Sequence, residues 1–199
     1  MKHIYVILDK SGSMNKILEA TIDGYNEFLN EQKKVYPESK WHLITFHSEV
    51  DKCISNTIEN IEGLTMETYK PDGLTCLYDA IGYMYELSSE TPGEHICIVI
   101  TDGHDNASQN YSRQHIQQFI SERKSENWKF IFCGATSDYI IEGKQLGFEK
   151  KDIHHFNQEA PEVTNLFRSL SSEISPTRSD QRPTLQIPSL QRNTSSLSS

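Results

Sequence analysis

No stretch of this sequence approaches the roughly 20 apolar residues that a membrane-spanning helix needs. The N-terminal run His3-Ile4-Tyr5-Val6-Ile7-Leu8 meets charge at Asp9 too soon to serve as a secretory leader. The expectation is therefore a soluble, cytoplasmic protein. Basic residues are in short supply: 19 Lys and Arg stand against 28 Asp and Glu, a formal net charge of −9. A domain this acidic repels phosphate backbones, which argues against nucleic acid as a partner. The four cysteines, Cys53, Cys76, Cys97 and Cys133, form no Cys-x-x-Cys pair, which argues against a zinc ribbon. Cys97 and Cys133 lie inside apolar runs and read as buried free thiols. Asn106-Ala107-Ser108 and Asn110-Tyr111-Ser112 match the glycosylation pattern, but with no leader they read as chance matches. The phosphate-binding P-loop, the GxGxxG loop and the nucleophile elbow are all missing.

What the chain does have is an alternation of short apolar runs with helical patterns. Residues 3–8 read as a strand. Residues 15–34 carry Ile17, Leu18, Ile22, Tyr25, Phe28 and Leu29 near helical spacing, with Pro37 beyond the end. Residues 41–46 read as a second strand, and 49–55 as a third paired to it antiparallel. Pro71-Asp72-Gly73 is a turn signal. A helix is predicted over 75–89, a fully buried parallel strand over 95–101 and a polar helix over 112–125. A strand over 128–133, a short helix near 138–146, a weak strand near 152–156 and a helix over 161–173 complete the pattern. This order predicts a doubly wound α/β fold with three layers. Its six-stranded, mostly parallel sheet has helices on both faces and one antiparallel edge strand. From residue 174 the composition shifts to Ser, Thr, Pro, Gln and Arg, so 1–173 is read as one domain and 174–199 as a disordered tail.

Ligands of such sheets bind beyond the carboxyl ends of strands, where strand order reverses. Asp9-Lys10-Ser11-Gly12-Ser13 follows the first strand there, and Asp102-Gly103 follows the strand at 95–101. Gly73-Leu74-Thr75-Cys76-Leu77 stands at the entry to the second helix. Together they offer two carboxylates and three hydroxyls, hard donors that suit Mg²⁺ or Mn²⁺ rather than zinc or copper.

These residues resemble the metal-ion-dependent adhesion site of von Willebrand factor type A (vWA) domains, a DxSxS sequence with a distant Thr and a distant Asp. The matching positions are Asp9, Ser11, Ser13, Thr75 and Asp102. The flanking Gly-Leu-Thr-Cys-Leu-Tyr-Asp-Ala-Ile and Ile-Val-Ile-Thr-Asp-Gly are also similar to the family's sequences at those points, and the resemblance spans residues 1–173. It implies that Ser11 and Ser13 bind the ion through their hydroxyls, that Thr75 joins when ligand is present, and that Asp9 and Asp102 act mostly through water. A shell of neutral hydroxyls and water leaves Mg²⁺ under-neutralised, so it attracts an Asp or Glu of a partner protein. The implied function is a non-catalytic protein-interaction module, with Lys10, His104 and Asp105 shaping the partner surface.

Two other functions compete. The first-strand aspartate is similar to that of haloacid dehalogenase-like phosphatases, which would make Asp9 the nucleophile of a Mg²⁺-dependent phosphotransferase. Those enzymes carry a second Asp two residues on, where this chain has Ser11. The other alternative is a scaffold whose metal site is incidental. His154 and His155, adjacent in a strand, point to opposite sides and read as structural. So do Tyr78, Tyr83 and Tyr85, and Glu59, Glu62 and Glu67 read as a solvated face.

Overall fold

The computed structural model describes residues 1–88 and 91–175. Six strands form one sheet: β1 (Lys2–Asp9), β2 (Lys40–Phe46), β3 (Ile54–Thr57), β4 (Glu94–Thr101), β5 (Lys129–Gly134) and β6 (Ile153–His155). Their order is β3-β2-β1-β4-β5-β6. Among the described residues only β3 is antiparallel, pairing with β2 at one edge. The helices are α1 (Leu18–Val35), α2 (Leu77–Leu87), α3 (Arg113–Ser125), α4 (Tyr139–Gln145) and α5 (Ala160–Ile174), and a 3₁₀ turn over Gly12–Ile17 precedes α1. Among the described residues no helix is long and apolar enough to cross a membrane.

The period-2 alternation of the central strands builds two cores. Ile4, Val6 and Leu8 of β1, with Ile96, Ile98 and Ile100 of β4, face the side covered by α1 and α5. Tyr5, Ile7, Cys97 and Val99 face α2 and α3. Because helices cover both faces, these strands read as unbroken apolar runs. Gly24 lets α1 lie close to α5: a Cβ there would stand 2.4 Å from the Phe167 ring. The four cysteines are unpaired, three buried and Cys53 half-buried.

Several boundaries differ from the sequence reading. The third strand begins at Ile54, not residue 49, and Val50 makes only an isolated bridge with Phe46. Asp51 explains the delay, because its carboxylate accepts the Thr45 hydroxyl at 2.6 Å and pairs with Lys10, tying residues 47–53 into a turn rather than a ladder. The second helix starts at Leu77, which leaves Thr75 in the loop before it. Ile174, assigned from composition to the tail, is the buried last residue of α5. The tail reading for residues 176–199 lies outside the described residues. β1 runs parallel between β2 and β4, so the chain reverses its winding direction at β1. The ends of β1 and β4 therefore open one crevice.

At the opposite, N-terminal end of these strands, three histidines stack. His3, His42 and His95 come from β1, β2 and β4, and all are buried. His3 Nδ1 lies 3.1 Å from His42 Nε2, and the His95 ring lies 4.1 Å from that of Trp128. Burial lowers the pKa of all three. It takes His42 down to about 4, helped by repulsion from His3, His95 and Lys40. Near pH 7 these imidazoles are mostly neutral in the folded and unfolded states alike. As pH falls from about 6.5 toward 4, the unfolded chain takes up protons that folded His42 refuses, so stability falls. His154, raised chiefly by its bond to Glu173, acts in the opposite direction, so the informative quantity is the difference between variant and wild type. The expected contribution of His42 between pH 7 and pH 5 is about 1–2 kcal/mol. Thermal melting in EDTA should show a smaller loss over that range for His42→Phe than for wild type; equal losses would place the pH sensitivity elsewhere.

Candidate functional site

Asp9 ends β1 and is wholly buried. Its Oδ1 accepts the Ser11 amide at 2.7 Å, the i to i+2 bond of an Asx turn. Its Oδ2 accepts the Thr101 hydroxyl from the neighbouring β4 at 2.6 Å, and its carbonyl accepts the Tyr69 hydroxyl. Burial raises its pKa to about 6 against the opposing bonds from Thr101 and Ser11, and the Asp102 charge adds to the rise. The turn after Asp9 is sewn to the loop before α2. Asp72 N–H donates to the Lys10 carbonyl at 3.0 Å, and Gly12 N–H to the Gly73 carbonyl at 3.1 Å. Gly73 has φ of 69°, a conformation that favours glycine.

The same turn presents two hydroxyls. Ser11 Oγ and Ser13 Oγ lie 3.2 Å apart, and Ser13 Oγ donates to Asp102 Oδ1 at 2.6 Å. The other Asp102 oxygen accepts Gln158 Nε2 at 2.6 Å. Burial raises the Asp102 pKa, opposed by Ser13, Gln158 and the nearby Lys16 charge. Asp9, Ser11, Ser13 and Asp102 thus form one connected cluster across the crevice.

Thr75 is buried at its edge. A Cβ added at Gly103 would stand 3.5 Å from Thr75 Oγ1, which places that hydroxyl against the Asp102-Gly103 turn. Its backbone is held on both sides. The amide donates to Asn106 Oδ1 at 2.8 Å, and the carbonyl accepts Asn106 N and Ala107 N at 2.9 and 3.1 Å. The loop supplying Asn106 is pinned in turn by Asp79 of α2, whose carboxylate accepts the consecutive amides of Gln109, Asn110 and Tyr111, each at 2.9 Å. Asn106 and Asn110, read as chance glycosylation matches, both spend their side chains inside this network.

The three residues assigned from sequence to a partner surface have internal work. Lys10 pairs with Asp51, and only 14% of its side chain is exposed. His104 lies between Asp138 at 3.2 Å and Glu142 at 3.1 Å. Asp105 accepts the Tyr78 amide at the start of α2 and the Ser108 hydroxyl. Each is engaged in holding the loops around the crevice. Conversely, sequence reasoning passed over Thr101, Tyr69, Asn106, Asp79 and Gln158. Thr101 carries a signal in hindsight, as a hydroxyl ending an otherwise apolar strand next to Asp102. Gln158 carries none.

Among the described residues, no group of three or more His, Cys, Asp or Glu side chains could hold a metal ion. Any cation here would rest on hydroxyls together with the two carboxylates. That donor set suits a small, hard divalent ion. Oxygens about 2.1 Å from Mg²⁺ stand about 3 Å apart along an octahedral edge, and the Ser11–Ser13 spacing of 3.2 Å is compatible with that edge.

The von Willebrand factor type A domain model matches residues 4–104. No curated protein sequence matches the chain significantly. Solved structures show the same fold at low identity. The vWF domain of the type V pili tip protein Mfa5 from Porphyromonas gingivalis is 8% identical with a TM-score of 0.65, the match covering 88% of this chain and 97% of that one. Proximal thread matrix protein 1 from the mussel byssus is 19% identical in its second crystal form, with a TM-score of 0.63 and coverage of 86% and 47%. The ArnB paralog VWA2 from Sulfolobus acidocaldarius is 18% identical, with a TM-score of 0.62 and coverage of 85% and 44%. The chain thus spans nearly all of the Mfa5 domain but under half of the other two proteins.

The geometry makes Thr101 a support of Asp9. Thr101→Val keeps the shape and removes the hydroxyl, leaving a buried carboxylate oxygen without this donor. Urea unfolding in EDTA should show a loss of about 2 kcal/mol, and Thr101→Ser should recover most of it. An unchanged midpoint for Thr101→Val would show that Asp9 does not depend on this bond.

Proposed function

The chain belongs to the von Willebrand factor type A domain family, and on that premise we propose that it is a protein-interaction module whose crevice holds Mg²⁺ and, through it, an acidic residue of a partner. Domains of this family are commonly non-catalytic interaction modules. The observation that carries the finer reading is the cluster of Ser11, Ser13 and Asp102, with hydroxyls 3.2 Å apart and the second of them giving its proton to the carboxylate.

A hydroxyl binds a cation through a lone pair, so its proton must point away. Ser13 meets that condition by donating to Asp102. Asp9 stays behind the turn with both oxygens accepting protein hydrogens. Ser11, Ser13 and Thr75 would hold the ion, with the two carboxylates supporting its charge from behind. When bound, Mg²⁺ supplies a Lewis-acidic position that a partner carboxylate can fill. The chain's own side chains supply less: Lys10 is neutralised by Asp51, and the His104 ring lies between two carboxylates. On a surface with net charge −9, an ion is what gives this crevice affinity for an acid.

The phosphotransfer alternative asks more of Asp9. A nucleophilic carboxylate must offer an open oxygen to a phosphorus atom. Asp9 is wholly buried with both oxygens bonded, which favours a supporting role.

Calorimetry should detect Mg²⁺ binding to wild type. Ser13→Ala should weaken it at least about tenfold while lowering melting in EDTA by less, because Ser13 is exposed and Gln158 still holds Asp102. A partner captured from lysate in Mg²⁺ should be released by EDTA. Thr75→Ala should lower capture more than it lowers the melting temperature. Equal capture in Mg²⁺, in EDTA and with Thr75→Ala would show that the partner binds elsewhere and that the ion is incidental.

A further inference from the structure

Gln158 lies between β6 and α5, outside the segment that the family model matches. It reaches back to Asp102 and donates Nε2–H to Oδ2 at 2.6 Å. We propose that Gln158 is a positioning residue of the cation site: by fixing the Asp102 carboxylate, it fixes the acceptor of the Ser13 proton and so aims the Ser13 lone pair into the crevice. The inference rests on the cation reading above.

A carboxylate held at one oxygen still rotates about its terminal torsion, whose preference is broad. Ser13 holds Oδ1 only. With Gln158 on Oδ2 the carboxylate plane has two anchors, one on each oxygen. Gln158 is itself restrained. Its neighbour Phe156 is buried and donates its amide to the Gly134 carbonyl, and Glu159 N–H turns back to the Asn157 carbonyl at 2.7 Å. On the side-chain amide, Oε1 accepts Lys16 Nζ at 3.4 Å. Lys16 belongs to the same 3₁₀ turn as Ser13. The bonds therefore close a ring from Ser13 through Asp102, Gln158 and Lys16 back to the turn.

The chemistry of the donor also fits. A lysine or arginine in contact with Asp102 would hold the carboxylate equally well but would repel a cation a few ångströms away. The Gln158 amide adds no charge of its own at Asp102, although its oxygen holds Lys16 Nζ at 3.4 Å. Partners that orient the ligands of a metal commonly affect affinity by 10- to 100-fold.

The test is Mg²⁺ calorimetry on the full chain, with wild type, Gln158→Ala and Gln158→Met, and melting of each protein in EDTA. Methionine keeps the length of the side chain and loses the donor. Both variants should bind Mg²⁺ about tenfold more weakly and melt in EDTA close to wild type. Wild-type affinity in Gln158→Met would show that the side chain acts by packing and would overturn the inference. So would a fall in EDTA melting with Mg²⁺ affinity unchanged, which would mark a purely structural role. Failure of wild type itself to bind Mg²⁺ would remove the cation reading and this inference with it, a result distinct from either of the others.

Discussion

Burying Asp9 at the end of β1 is the constraint around which the crevice is built. A carboxylate with no exposure carries a desolvation penalty unless donors surround it, and each donor that answers this need comes from a different part of the chain. Ser11 closes the turn that carries the two serine hydroxyls. Thr101 binds from the adjacent strand, so the β1–β4 pairing and the site are one feature. Tyr69 reaches the Asp9 carbonyl from the loop before α2 and draws that loop over the strand end. Meeting the hydrogen-bonding needs of one residue thus brings three separate segments to one place.

The electrostatics follow from the same arrangement. Burial raises the pKa of both Asp9 and Asp102, so each carboxylate is costly to keep charged without a compensating partner. Their compensation is mostly neutral: hydroxyls and amides, with only Lys16 nearby as a charge. Elsewhere on the rim Lys10 is spent on its pair with Asp51, and His104 contacts Asp138 and Glu142. A divalent ion would supply the charge that these carboxylates lack, and this is the physical basis of the proposed function. The loops that would meet a partner are not loose. Asp79 and Asn106 fasten residues 105–111 to the start of α2, so the crevice is largely organised before anything binds.

Both ends of the central strands carry polar clusters, of opposite kinds. The C-terminal end gathers carboxylate and hydroxyl oxygens, and the N-terminal end gathers imidazoles whose pKa burial lowers. Between them β1 is apolar on both faces, so the two clusters share a scaffold and no polar contact along β1 links them.

Much of this was legible in the sequence because it depends on local pattern. The short apolar run Ile96–Ile100 suits a strand buried on two faces, and strand-helix alternation implies a mostly parallel sheet with helices on both sides. The positions after β1 and β4 then follow from topology, which is how Asp9, Ser11, Ser13 and Asp102 could be singled out. Tertiary structure decided what pattern does not encode. Lys10, expected from its position to shape a partner surface, pairs with Asp51, a residue of the β2–β3 turn that also delays the edge strand to Ile54. Gln158 has nothing local to mark it, since a lone glutamine before a helix fits any solvated loop. Its contact with Asp102 exists only because β6 pairs with β5 and α5 packs on α1, bringing residues 56 positions apart to hydrogen-bond distance. Periodicity reports which face of an element is buried; which polar atom meets which across a crevice depends on distances set by the packing of every layer.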